Sequence, residues 1–206
     1  MKLATFILPT ILHATPGFRV PGAKCPDVKG MPGFDPARYA NGKPWWQSGT
    51  SRFLFTPASS TCVTATYSLT ENEGQIYYQN DLNLLGSIPW QLTGYAQEES
   101  EGTLCVEFDE PFPAPEDGCD RYIVMETDYE NYAYVYSCDD KSANSPFPGE
   151  PGSDSILWAL TREPTSDEAY VRELYANAAG YIARADPSFP VDELIDEMVM
   201  YDNSDC

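Results

Sequence analysis

The residues best equipped for chemistry are six cysteines, at positions 25, 62, 105, 119, 138 and 206, and a single histidine, His13. No two cysteines stand in a CxxC spacing, which argues against zinc or thioredoxin-like redox chemistry. An even number in a chain with an export-type start reads as three disulfides, every pairing being open at this point. With all six paired, no thiolate nucleophile remains. His13 falls in the apolar leader, so the mature chain has no imidazole. That removes Ser/His/Asp and Cys/His nucleophile pairs, and His-ligated zinc, copper or haem. There is no GxGxxG or P-loop to cradle phosphates and no GxSxG elbow. Acids are plentiful, 32 Asp and Glu against 12 Lys and Arg for a net charge of −20. Their placement in turns and on helix faces needs no catalytic explanation. The acidic stretches 98–101 and 109–117 lack the spacing and turn Gly of an EF-hand loop and read as solvated loops. These residues predict a binding protein without a catalytic site, a metal site or a required cofactor.

Charge and leader narrow the partners. A strongly negative chain repels phosphate backbones and anionic lipid heads, so nucleic acid and membrane surfaces are not expected as partners. Met1-Lys2, an apolar run from Leu3 to Leu12 and small or helix-breaking residues from Ala14 to Gly17 form a secretory signal pattern, too short to span a bilayer. Cleavage is expected after Gly17, with positions up to Ala23 open. The protein is therefore expected to be secreted, as one domain over 18–206 with no membrane span. No Asn-x-Ser/Thr sequon is present.

The elements that must position these residues are mostly strands. After a Pro- and Gly-rich lead-in over 18–44, short alternating segments separated by turn clusters indicate an antiparallel all-β fold. In Cys62–Leu69, Val, Ala, Tyr and Leu share one face and Thr and Ser the other. With Trp45–Phe55, Gln75–Leu82, Ser87–Ala96, Thr103–Phe108, Arg121–Thr127, Asn131–Cys138 and Asp154–Thr161 this makes eight strands, enough to close a barrel around one small ligand. A capping-box pattern at Thr165–Glu168 opens a helix whose stripe, Val171, Leu174, Tyr175, Ala178 and Ile182, should pack outside that barrel. Pro187 and Pro190 end it, and a shorter amphipathic piece, Val191–Met200, follows.

The segment Met125–Cys138, with Thr-Asp-Tyr entering an alternating strand that ends Tyr-Ser-Cys, resembles lipocalins of the apolipoprotein D group, which includes bilin-binding proteins and crustacyanins. Lys24-Cys25-Pro26 with Phe34–Tyr39, Cys62–Leu69 with Glu71-Asn72, and Leu157–Arg162 agree with that resemblance in order, from about Cys25 to Cys206. It implies an eight-stranded antiparallel up-and-down β-barrel with one C-terminal α-helix packed outside. It also implies disulfides Cys25–Cys138 and Cys62–Cys206, which leaves Cys105 with Cys119. Each would contribute about 2–4 kcal/mol. One departure is the longer stretch Tyr39–Trp46 with Pro44, which leaves Trp45 or Trp46 to close the barrel floor against Arg162. Trp45 is the choice made here.

Those disulfides orient the strands. An outward Cys138 sends Ala133, Val135 and Ser137 inward and puts Tyr134 and Tyr136 under the helix. An outward Cys62 sends Val63, Ala65, Tyr67 and Leu69 inward, and an outward Cys105 does the same for Leu104, Val106 and Phe108. The resemblance adds Tyr77, Gln79, Trp90, Leu92, Tyr122, Val124, Ile156 and Trp158. Any one inward aromatic can equally be plain core, and Tyr67 and Trp158 are the strongest candidates for contact. Phe53 and Phe55 are candidates for lining the entrance or for anchoring the first loop. The implied function is a carrier of a small hydrophobic molecule such as a lipid, carotenoid or linear tetrapyrrole, with homo-oligomers as a further expectation. The alternatives are an enzyme on the same fold acting on a lipophilic substrate, or an interaction protein with a vestigial cavity.

Overall fold

The computed structural model describes residues 17–51, 56–109, 119–141 and 152–206. A short strand β1 (Phe18–Pro21) and a single helical turn α1 (Pro36–Tyr39) precede the sheet. Asp35 caps that turn, accepting from the backbone N–H groups of Ala37 and Arg38, with Pro36 at its first position, where no amide proton is needed. Strands β2 (Asn41–Thr50), β3 (Thr61–Leu69), β4 (Gln75–Leu84), β5 (Ile88–Ser100), β6 (Thr103–Phe108), β7 (Asp120–Thr127), β8 (Tyr132–Lys141) and β9 (Gly152–Thr161) follow. Helices α2 (Glu168–Ala185) and α3 (Val191–Asp196) and a two-residue strand β10 (Val199–Met200) complete the chain.

Strands β2 to β9 pair with their sequence neighbours, antiparallel throughout, and β9 returns to β2 through Trp46–Thr161 and Thr50–Trp158. The barrel is thus closed, which leaves no free edge among its eight strands. β1 adds to the rim of β9 and β10 to the rim of β2. The first barrel strand starts at Asn41, four residues before the expected Trp45. Pro44 lies inside it, next to a bulge between Asn41 and Pro44, where a missing donor is tolerated. Its expected end, 52–55 with Phe53 and Phe55, lies outside the described residues.

Alternation divides the apolar residues between two cores. Inside are Trp45, Ala65, Tyr67, Tyr78, Leu104, Val124, Val135, Trp158 and Leu160. Outside, Tyr134, Tyr136, Leu157 and Ala159 meet Leu174, Tyr175, Ala178 and Ile182 of α2. Asp167 caps α2 by accepting from the Tyr170 N–H. Gly49 lets the helix approach: a Cβ there would stand 2.9 Å from the Val171 side chain. The piece expected to be amphipathic over 191–200 splits, α3 giving way to β10 against Gly49 and Thr50. All three disulfides are formed: Cys25–Cys138, Cys62–Cys206 and Cys105–Cys119.

Candidate binding site in the barrel interior

The interior is built from its closed end upward. Trp45 is fully buried there, while Trp46 pairs with Thr64 and Thr161 on the outer face. Arg162, just past β9, lies over the Trp45 ring and donates to the carbonyls of Tyr129, Lys43, Pro44 and Tyr39. The Thr-Asp-Tyr turn fixes one carbonyl of that set, Tyr129. Asp128 accepts from the N–H groups of Glu130, Asn131 and Tyr132. Partial burial favours its neutral acid, yet these bonds and the one from the Asn131 side chain hold the carboxyl below its usual range. Tyr129 takes a left-handed φ of 70°, and its hydroxyl accepts from the Asp35 N–H.

Above this floor stands a tyrosine trio. The Tyr67 hydroxyl donates to that of Tyr122 at 2.8 Å, and Tyr39 and Tyr122 share a second bond at 2.9 Å. Burial pushes all three phenols well above the ordinary tyrosine range. Trp158 packs on Tyr122, with ring centroids 5.8 Å apart, and Tyr39 stacks on Trp45. The lower barrel is therefore filled with aromatic side chains, and its polar atoms pair largely with one another.

The ladders place most of the sequence-derived residues on the inner face: Ala65, Tyr67, Trp90, Leu92, Phe108, Tyr122, Val124, Val135, Ser137, Ile156 and Trp158. Tyr77 and Gln79 are corrected. Residues directly opposite in a ladder share a face, and Tyr67 lies opposite Tyr78, Ala65 opposite Asn80. Tyr78 and Asn80 thus point inward, while Tyr77 packs edge-on against exposed Tyr95 outside and Gln79 donates to Asp81. Counting back from the 70–74 turn would have found this parity.

Toward the mouth, Trp90 joins Val63, Leu82 and Tyr201. Two inward polar atoms, the Tyr78 hydroxyl and Asn80 Oδ1, are sealed from solvent with no hydrogen-bond partner among the described residues. Burial pushes the Tyr78 phenol upward, and Tyr67, Asp109 and Asp120 push it further. Two depressions on the wall, about 490 Å³ beside Asp27–Gly30 and about 200 Å³ beside Cys25–Cys138, are lined by charged side chains. The interior has the better chemistry for an apolar guest. Among the described residues, one group could hold a metal ion, Glu99 with Cys105 and Cys119, and the disulfide there removes both thiolates.

No family model matches the chain. It is 35% identical over 118 residues to apolipoprotein D of Bos taurus, covering 56% of this chain and 57% of that protein. With the Lazarillo protein of Schistocerca americana it shares 29% identity over 146 residues, covering 69% and 62%. The chain thus spans less than two thirds of either curated relative. The solved structure of apocrustacyanin C2 superposes with a TM-score of 0.66 at 20% identity, covering 93% and 94%. The chain has the lipocalin fold. Within Met125–Cys138 the turn after Thr127 belongs to the floor, Tyr134 and Tyr136 pack under α2, and Val135 and Ser137 face the interior.

Proposed function

We propose that this protein is an exported lipocalin carrier that holds one small hydrophobic molecule, without covalent attachment, in the upper half of its barrel. The observation that carries the reading is the inner face above the tyrosine trio. There Leu92, Trp90, Phe108, Ile156 and Trp158 supply apolar surface around a few polar atoms, on Tyr78, Asn80 and Ser137. Such a lining suits a guest that is mostly apolar and oriented by one or two hydrogen bonds, with burial of its surface as the driving force.

Three disulfides and the Met1–Gly17 pattern support export, and no helix among the described residues is long and apolar enough to cross a membrane. All six cysteines are bonded, so the reading assigns no nucleophile. A carotenoid or linear tetrapyrrole is the pigment form of the proposal, since Tyr67, Tyr122 and Trp158 offer stacking faces. Association of copies into a homo-oligomer is part of the same proposal.

The test is the absorption spectrum of protein purified from its natural source, with mass spectrometry of its organic extract. A visible band and a released pigment establish the pigment form. A co-extracted sterol or other lipid without colour establishes lipid transport. An empty extract, together with failure to take up any apolar dye, overturns the carrier reading in favour of an interaction protein.

A further inference from the structure

The polar atoms of the upper barrel carry information about the guest. Tyr78 is only 3% exposed, and its ring crosses to β5 and meets Phe108 edge-on at 5.8 Å. Gly94 makes this possible: a Cβ there would stand 2.8 Å from the Tyr78 hydroxyl and still closer to the Glu107 carbonyl. The phenol is therefore held in place over Gly94. Asn80, two residues on, shares the inner face between Ala65 and Leu92. A buried polar atom without a partner is costly, and two of them on one strand face mark where a guest's polar group would pair.

The charges around them bear on what that group can be. Arg162 is occupied with backbone carbonyls beneath Trp45. Arg19, at the rim, stands 3.9 Å from Asp154. Ladder register puts Asp139 and Asp154 opposite each other on the face of Ser137 and Ile156, and puts Asp120 on that of Tyr122. A desolvated carboxylate reaching Asn80 would meet an acceptor oxygen, and among the described residues no Lys or Arg stands on the inner face at that depth.

We infer that the guest is a lipophile whose polar end is a hydroxyl or an N–H, donating to Asn80 Oδ1 beside the Tyr78 hydroxyl, in preference to an acceptor-only group of the same size such as an ether or a carboxylate. This rests on the carrier reading above.

The experiment loads the full-length protein with the neutral dye Nile red and displaces it, at pH 7.5, with decan-1-ol, its isomer 1-methoxynonane, or decanoate. The ether is the more hydrophobic of the two isomers, so partition alone would favour it. The proposal expects the alcohol to displace dye at about tenfold lower concentration than either competitor, the value of roughly one buried hydrogen bond. Asn80→Leu, with its β-sheet circular dichroism as the check that the barrel still folds, should remove that lead. Equal or better displacement by the ether or by decanoate overturns the inference and leaves the carrier reading standing. Absence of any dye binding overturns the carrier reading itself.

Discussion

The guanidinium carbon of Arg162 lies 3.5 Å from the centroid of the Trp45 ring. One side chain thereby ties the end of β9 to the start of β2, the N-terminal turn and the β7–β8 turn, through four backbone carbonyls. Arg162→Ala removes the stacking and leaves those carbonyls short of a donor, so it should cost about 2–4 kcal/mol. Arg162→Lys should recover only part, because an ammonium cannot present the planar fork. Urea-denaturation midpoints of the two variants decide. Equal stability of all three proteins would show the floor to be held by packing alone.

Tyr122 is the hub of the interior, since both other phenols of the trio bond to it. Tyr122→Phe strands two hydroxyls, whereas Tyr67→Phe removes one bond and leaves the Tyr39–Tyr122 pair. The first should cost about 1–3 kcal/mol and the second distinctly less.

The trio also sets an alkaline limit. Burial raises its phenols above the ordinary value of about 10. Groups whose pKa is higher folded than unfolded give stability that is fully present below the unfolded value and is lost as pH rises toward the folded one. Tyrosinate absorbance at 295 nm should therefore rise steeply above pH ~10, together with loss of the β-sheet circular dichroism signal. A gradual rise with the sheet intact would contradict this.

Much of the architecture could be read from the chain because alternation and turn residues act locally. Cys62–Leu69 and Tyr132–Cys138 show their two faces in the residues themselves, and the helix stripe from Val171 to Ile182 needs nothing else. Tyr77 and Gln79 turn on parity: a strand with a Tyr-Tyr doublet followed by a Gln-Asn doublet looks alike in either register, and its pairing with β3 chooses. Tyr39 was passed over as an interior residue because it arrives from outside the sheet, on α1. The seam between β2 and β3 was invisible for the same reason, being closed by the last residues of the chain.

The proposed cleavage after Gly17 can be tested through β1. Phe18 is buried against Phe189, and residues 18–21 pair with 152–155 of β9. Cleavage after Gly17 keeps this strand, whereas cleavage after Ala23 deletes it along with the burial of a phenylalanine, about 2–3 kcal/mol. N-terminal sequencing of the exported protein should find Phe18 first. A mature chain starting at Lys24, as stable as one starting at Phe18, would remove β1 from any role in folding.

The β2–β3 seam depends on Asn203. The ladder between these strands ends at Trp46–Thr64, and beyond it the fully buried Asn203 bridges the gap. It accepts from the Val63 N–H at 2.9 Å and donates to the Gln47 carbonyl at 3.1 Å. Asn203→Ala leaves two buried backbone groups unpaired and should cost about 2–4 kcal/mol. Asn203→Asp keeps the acceptor but aims a carboxylate at a carbonyl. Its folded pKa should lie above the unfolded one, so the deficit should be largest at pH 8 and shrink as pH falls toward 5.5, where the protonated acid can donate. Thermal melts of both variants at the two pH values separate the contributions. If Asn203→Ala melts with the parent, the Cys62–Cys206 disulfide alone fastens the C-terminus to the barrel, and reduction should then free it.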